Sequence, residues 1–471
     1  MSSFGIDFGT TNSCAVEIQG PTTLPYGDET GRPLPSLLVI DRATGNALCG
    51  REVWNKRLSY REKGGFRVVP SLKKLLENGD WREGQWTVPL LIAEVLKHLS
   101  KRAAIGGRPG IANATFSVPA GLAPQSRRTL RKAAHFAGIQ VNGFISESTA
   151  ALMRYWPRMR DHRYVAVFDW GGGTLDVSVL EVRGQKVFER YTRSLAQAGT
   201  HIDEELAQHI AHPHIMRQRG LAKAFEEMAP DDRNELVFRC EAAKIALSRR
   251  TEVDLVLESY DDKPASLLLS RRDCGAIVGR YVRQAVELLA HAIREARLSR
   301  DELQDVIVIG GSSQLWLLAE MLGREFPGRY KLAENPEWDV AHGAAIVEQN
   351  PGKFTLAETL GLRLSDDSYF ELVRPGDRPS DGASSLSLAL VEDSSAANII
   401  IDRWTNDYDH PRSALQFAIS SLGFDQEEVS LSYRLTEDLT FHIAGQSRSR
   451  GPSSLVERET GELRFGYEMQ D

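Results

Sequence analysis

The sequence of 471 residues predicts an α/β domain of two similar lobes followed by a small antiparallel β-domain, and three features carry that reading. A strand, a tight turn of small residues and a second strand occur twice, within residues 4–18 and 165–180. Helical periodicity fills the intervals between and after these hairpins. It disappears beyond Gln349-Asn350-Pro351-Gly352, where strict alternation of apolar and polar residues takes over.

The first hairpin is Phe4-Gly5-Ile6-Asp7-Phe8-Gly9-Thr10-Thr11 followed by Ala15-Val16-Glu17-Ile18. Residues 92–99 then read as an amphipathic helix, and the helical stretch 125–137 stops at Gly138, a residue suited to a left-handed C-terminal cap. The second hairpin runs Val165-Ala166-Val167-Phe168-Asp169-Trp170-Gly171-Gly172-Gly173-Thr174 and returns through Val177-Ser178-Val179-Leu180. Helices follow over 234–247 and 276–296, and a strand at residues 306–309 runs into Gly310-Gly311-Ser312-Ser313, which is expected to open an apolar helix. Residues 1–350 thus read as α/β, with helices covering both faces of the sheets.

In the last part of the chain, Val429, Leu431, Tyr433 and Leu435 alternate with polar residues, Thr436-Glu437-Asp438 forms a polar turn, and Leu439, Phe441 and Ile443 alternate again. With the apolar stretches 386–390 and 399–401, this hairpin predicts an antiparallel β-sandwich.

Composition narrows the functional classes. With 57 Lys+Arg against 64 Asp+Glu the net charge is −7, which gives no general electrostatic reason to bind nucleic acid or an anionic membrane. Cys14, Cys49, Cys240 and Cys274 form no C-x-x-C pair, so they read as reduced, buried thiols. The N-terminus Met1-Ser2-Ser3-Phe4-Gly5-Ile6-Asp7 lacks a basic region before an apolar stretch, and no apolar run approaches the ~18 residues of a membrane span. The expectation is a cytoplasmic protein with neither nucleic acid nor membrane as a partner. The G-x-x-x-x-G-K-[ST], H-E-x-x-H and G-x-S-x-G signatures are all missing.

The paired turns carry the chemistry. Small residues at Gly9-Thr10-Thr11 and Gly171-Gly172-Gly173-Thr174 leave backbone N–H groups unshielded for phosphate oxygens, and the threonine hydroxyls add donors. Asp7 and Asp169 lead the two turns, where a carboxylate beside phosphate would hold Mg²⁺ through water. Taken singly, each glycine cluster is equally a hairpin turn capped by its aspartate. Two such clusters, with Gly310-Gly311-Ser312-Ser313 as a third, favour a nucleotide between two lobes.

Six strings resemble the DnaK-type, seventy-kilodalton heat-shock chaperones of the actin-like ATPase superfamily, and they occur in that family's order. They are residues 5–14, Ser117-Val118-Pro119-Ala120, Glu147-Ser148-Thr149-Ala150-Ala151, residues 168–176, Val308-Ile309-Gly310-Gly311-Ser312 and Gly343-Ala344-Ala345. The resemblance covers nearly all of residues 1–350. It implies a two-lobed actin-like ATPase domain over 1–350, a linker at 351–358, and a peptide-binding-like β-sandwich over 359–471 without the family's helical lid.

What the resemblance implies at the site is specific. Asp7, Gly9, Thr10 and Thr11 would form one phosphate clamp, and Asp169, Gly171, Gly172, Gly173 and Thr174 the other, with Asn12 also binding the cofactor. Lys73 would reach the transferring phosphate and Glu147 would position water, the catalytic set being Lys73, Glu147, Asp169 and Thr174. By residue type alone, Lys73 reads more readily as a solvated charge, and Glu147 reads also as a helix-terminal acid. Asp7, Asp169 and Asp176 would serve Mg²⁺ and K⁺. Adenosine would lie against Glu241, Lys244 and Ser248, with Gly310, Gly311 and Ser312 opposite and Glu337 near the ribose, and Gly199 would also bind the cofactor.

The implied function is an ATP-hydrolysing chaperone whose ATP or ADP state controls an unfolded or extended peptide, aided by a J-domain co-chaperone and a nucleotide exchange factor. The alternatives are an ATP-dependent switch or scaffold for one partner and, more remotely, a small-molecule kinase. The sequence departs from the family at Trp170, Ser148 and Gln314, in a shortened stretch between Leu76 and Val88, and in a linker reading Lys353-Phe354-Thr355-Leu356-Ala357-Glu358.

Overall fold

The computed structural model describes residues 2–62, 64–76, 80–119, 122–380, 382–390, 394–405, 410–423, 427–461 and 463–469. Met1, residues 77–79 of the shortened stretch, and Ala120 of the second string lie outside the described residues. The chain divides into two compact units. One comprises Met1–Val118, Leu130–Val182 and Arg190–Gln349, the other Pro119–Thr129, Arg183–Glu189 and Asn350–Asp471.

The first unit holds two sheets built on one plan. In the first, Ser3–Phe8 lies between Asn113–Val118, to which it is parallel, and Asn12–Gln19, to which it is antiparallel. In the second, Tyr164–Trp170 lies between the parallel Asp305–Ile309 and the antiparallel Leu175–Arg183. Ile6, Phe116, Phe168 and Val308 are fully buried, as strands covered on both faces require. The repeated hairpins expected from sequence are therefore the centres of two sheets, and each central strand carries an aspartate, Asp7 or Asp169, one residue before its end.

The expected helices form over Val88–Ala103, Pro124–Phe136, Pro230–Leu247 and Arg271–Glu295. Gly138 follows the second of these at φ 76°, the left-handed value anticipated for it. One local expectation fails. Gly311–Gln314 forms a separate 3₁₀ turn, Leu315 is extended, and the α-helix begins only at Trp316. The side chain of Leu315 is buried, and seating it resets the chain before the helix can start.

Helix Asp339–Gln349 fixes the first sheet by backbone contact. A Cβ on Gly5 would lie 2.1 Å from the Ala341 carbonyl oxygen, and one on Gly343 would lie 1.7 Å from that of Ala150. Ala341, Ala344, Ala345 and Ala150 are fully buried, so small residues on every side permit the approach.

The second unit is an antiparallel sandwich. One sheet runs Tyr369–Val373, Thr359–Arg363, Ala396–Trp404, Arg412–Ser420, and the other Ser384–Ala389, Glu428–Leu435, Phe441–Ser447, Val456–Thr460. Leu360, Ile399, Ile401 and Ile419 of the first share a core with Val429, Leu431, Phe441 and Ile443 of the second. The predicted turn closes through the Thr436 N–H donating to the Thr440 carbonyl at 2.8 Å. Lys353–Leu356, within the segment read as a linker, is a strand paired with Phe465–Glu468.

Cys14, Cys240 and Cys274 are buried free thiols as expected, whereas Cys49 is only half-buried, at the edge of a short helix. Among the described residues, no helix is long and apolar enough to cross a membrane.

Two outcomes follow from this packing. Gly343→Ala should lower the stability of the first unit by about 1–3 kcal/mol, because the new methyl meets backbone that cannot rotate away; an unshifted urea midpoint would contradict the close approach. In the second unit, Glu427 accepts hydrogen bonds from the Ser447 and Ser449 hydroxyls and from the Leu422 N–H at 2.9 Å. These hold its carboxyl down to about 2, against an ordinary 4.5. A depressed carboxyl stabilises the fold above its unfolded value and loses that stabilisation as pH falls. The sandwich should therefore weaken between pH 4.5 and 2, and Glu427→Gln should remove this part of the pH dependence of its unfolding.

Candidate functional site

The turns that follow the two central strands face one another in the first unit. A Cβ on Gly172 would lie 3.1 Å from Thr11 Cγ2, and one on Gly173 would lie 3.1 Å from Thr11 Oγ1 and 3.3 Å from Thr10 Cγ2. Each turn is tight. The Gly171 N–H donates to the Thr174 carbonyl at 2.9 Å, and a Cβ on Gly9 would sit 2.2 Å from the Asn12 carbonyl oxygen. Thr10, Thr11, Gly172 and Gly173 thus come together as the sequence led one to expect.

Charge gathers beside them. Asp7 is opposite Ser117 in the sheet register and accepts from the Ser117 hydroxyl at 2.8 Å. Asp169 is opposite Asp176 across its hairpin, and Asp176 accepts from the Ser194 hydroxyl. Lys73, on the short helix Leu72–Leu75, forms an ion pair with Glu147, the first residue of helix Glu147–Arg154. Only 12% of the Lys73 side chain and 17% of that of Glu147 reach solvent.

Four carboxylates therefore surround one ammonium. Loss of hydration raises the Asp169 carboxyl well above its ordinary range, and repulsion from Asp176, Glu147 and Asp7 raises it further. Burial raises Asp7, with Lys73 and the Ser117 hydroxyl opposing the shift. Glu147 is pushed up to about 7 by burial, against the attraction of Lys73 and with the repulsion of Asp7 and Asp176. Burial works against the Lys73 ammonium, yet Glu147 and Asp7 hold its pKa above the ordinary lysine value.

Such an excess of negative charge fits a bound cation. Among the described residues, no group of three or more His, Cys, Asp or Glu side chains has the spacing for direct metal ligation. The donor set suits an ion that keeps its water shell, which is the habit of Mg²⁺.

Around the second turn lies a further cluster. Lys244, on helix Pro230–Leu247, is buried and donates to Asp203 Oδ2 at 2.7 Å and to the Gly199 carbonyl at 3.0 Å. Ser312 donates to the Gly171 carbonyl at 2.7 Å. A Cβ on Gly199 would meet Ser312 Oγ at 2.5 Å and Lys244 Nζ at 3.0 Å, so this position accepts only glycine without a shift. Gly310 has φ 81°, and a Cβ there would lie 2.5 Å from Asp169 Oδ1. Gly311 faces Glu337, whose Oε1 would be 3.1 Å from its Cβ; burial raises the Glu337 carboxyl despite the pull of Arg32 and Arg51.

Glu241 acts electrostatically on both Asp203 and Glu337. The Ser248 hydroxyl instead turns back onto the Lys244 carbonyl at 3.4 Å.

Sequence reasoning missed Asp203, Ser117 and Ser71. Asp203 lies one helical turn beyond Gly199 and could have been noticed as the only acid of helix Gly199–Leu206 on the Gly199 face. Of the departures, Trp170 is fully buried, and its indole N–H has no partner among the described residues. Gln314 reaches the Ala333 carbonyl at 3.4 Å, and Ser148 lies in the first turn of the helix that Glu147 begins, behind the Ser146 cap.

Two α/β lobes with facing small-residue turns, each led by an aspartate, together with a β-sandwich unit, are the fold elements of an actin-like ATPase domain and a β-sandwich domain. The family model described as Hsp70 protein matches residues 73–350, and the chain belongs to the Hsp70 family. It is 29% identical over 373 residues to a chaperone protein HscA homolog of Pseudomonas fluorescens, covering 73% of this chain and 56% of that protein. It is 27% identical over 378 residues to the chaperone protein DnaK of Buchnera aphidicola subsp. Schizaphis graminum, covering 73% and 58% respectively. The chain thus spans a little over half the length of the curated relatives it matches.

Proposed function

We propose that the first unit binds ATP or ADP and hydrolyses ATP, and that the chain is a chaperone of the DnaK type whose nucleotide state controls its hold on an extended peptide or partner protein. The observation that carries this reading is the pair of facing turns beside four carboxylates and one buried lysine. Family membership supports it.

In this reading a water attacks the γ-phosphorus of ATP, the bond to the β-phosphate oxygen breaks, and ADP and inorganic phosphate leave. Glu147, near 7, suits orienting that water and taking its proton. Lys73 neutralises charge on the transferring group, and the Gly172 and Gly173 amides, in the turn that Gly171 opens, bind its oxygens together with Thr10, Thr11 and Thr174. Asp7 and Asp169 would hold Mg²⁺ through water, which would supply charge neutralisation, and Asp176 would serve K⁺. Asn12, Gly199, Glu241, Lys244, Ser248, Gly310–Ser312 and Glu337 would hold the nucleotide.

The remaining assignments form one proposal with this. Residues 1–350 are the nucleotide-binding domain, 351–358 the linker and 359–471 the peptide-binding domain, in a cytoplasmic protein served by a J-domain co-chaperone and an exchange factor. A second reading, a switch or scaffold for one partner, draws on the strand at Lys353–Leu356, since linker residues already paired in a sheet are less free to signal. Equal rates of peptide release in ATP and ADP would favour it.

Lys73→Ala should slow single-turnover hydrolysis by at least about 100-fold, as for loss of one preorganised charge-stabilising group, with the MgATP Kd changed by less than about threefold. Hydrolysis at the parent rate would remove the role of Lys73. Titration calorimetry of the parent chain with MgADP should show saturable heat, and phosphate should be released without any sugar acceptor; no heat at high protein concentration would overturn the nucleotide reading itself.

A further inference from the structure

The two turns share a device that no motif comparison describes. In each, successive carbonyl oxygens are pinned from behind by a serine hydroxyl and by backbone N–H groups. In the first turn, the Thr10 carbonyl accepts from the Ser71 hydroxyl at 3.2 Å and the Thr11 carbonyl from the Ser36 N–H at 2.8 Å. In the second, the Gly171 carbonyl accepts from the Ser312 hydroxyl at 2.7 Å and from the Gly199 N–H at 3.3 Å, while the Gly172 carbonyl accepts from the Thr200 N–H at 2.8 Å.

A planar trans peptide makes this consequential. The carbonyl of one residue and the N–H of the next point in opposite directions, so fixing the first aims the second. Pinning Thr10 and Gly171 therefore directs the Thr11 and Gly172 N–H groups away from the pins, and pinning Gly172 does the same for Gly173. Among the described residues none of these three N–H groups has a partner.

The serines are placed for this use. Ser71 occupies the N-cap of helix Leu72–Leu75, where a hydroxyl ordinarily caps the helix, yet it makes no capping bond and turns to Thr10 instead. Ser312 lies in the Gly311–Gln314 turn that replaced the expected helix start, and that geometry puts its hydroxyl on the second phosphate turn. Ser71 also precedes Lys73 by two residues, so one short segment sets both the lysine and the first turn.

We propose that Ser71 and Ser312 are matched positioning residues, one per turn, whose hydroxyls pin the Thr10 and Gly171 carbonyls and so aim the Thr11 and Gly172 N–H groups at bound phosphate. The proposal rests on the nucleotide reading and reassigns Ser312 from the adenosine side of the site to its phosphate side. Rigid, pre-aimed donors bind charge without reorganising when the ligand arrives.

The test compares ADP with adenosine by calorimetry on the full chain in Mg²⁺. Ser71→Ala and Ser312→Ala should each lower the ratio of ADP to adenosine affinity about five- to tenfold, as expected for one hydrogen bond. The double variant should lower it by the product of the two effects, and Ser71→Thr, which keeps the hydroxyl, should restore it. Thermal unfolding checks that the variants are folded; should Ser312→Ala fail to fold, Ser71→Ala and Ser71→Thr still decide, because Ser71 provides no helix cap to lose.

An unchanged ratio in a chain that binds ADP overturns the positioning role, and so does an equal loss for ADP and adenosine, which would mark general damage or an adenosine contact. A parent chain that binds neither ADP nor inorganic pyrophosphate overturns the nucleotide reading, and the positioning role with it.

Discussion

The first unit is organised by a surplus of negative charge withdrawn from water. Burial lifts Asp7, Glu147 and Asp169 above their ordinary carboxyl range, repulsion from neighbouring carboxylates adds to the shift of Glu147 and Asp169, and the Lys73 ammonium opposes all three. Such a grouping is unfavourable on its own and becomes tolerable when cations and a ligand with neutralising donors complete it. Two sheets of the same plan make the grouping possible, because each places an aspartate one residue before the end of its central strand and then turns through residues too small to obstruct the other.

The glycines around this centre are restricted by contact rather than by turn type alone. Gly199 faces a hydroxyl and an ammonium, and Gly310 faces Asp169 and the Trp170 backbone. A side chain at either would push on the groups that define the site. The β-sandwich unit depends on something simpler, an interior of Leu, Ile, Val and Phe shared by two sheets, and its buried Asp402 pairs with the solvent-exposed Arg363 at 2.6 Å.

Much of this was legible in the amino-acid order. Apolar strands joined by a tight turn of small residues located the hairpins at 4–18 and 165–180, period-two alternation located the one at 429–443, and three- and four-residue spacing located the long helices, because in these segments burial follows local pattern. The paired Asp and Gly clusters pointed to the facing turns. Ser71 was not legible, since nothing local distinguishes a serine that caps its own helix from one that reaches a carbonyl 61 residues away. The 3₁₀ turn at Gly311–Gln314 escaped for a related reason: Leu315 looked like the first apolar residue of a helix, and only its seat in the core shows that the chain must first extend.

The backbone contacts of Gly5 and Gly343 have a consequence beyond stability. Gly5 stands two residues before Asp7 and touches the helix of Ala341, while Gly343 of that same helix touches Ala150, three residues after Glu147. One rod of main chain, pressed directly against both neighbours, thereby acts as a gauge block between the two acids. Their separation is preset by atoms that cannot change rotamer, so domain-scale breathing of the first unit would carry Asp7 and Glu147 together and leave the spacing across which water must be held undisturbed.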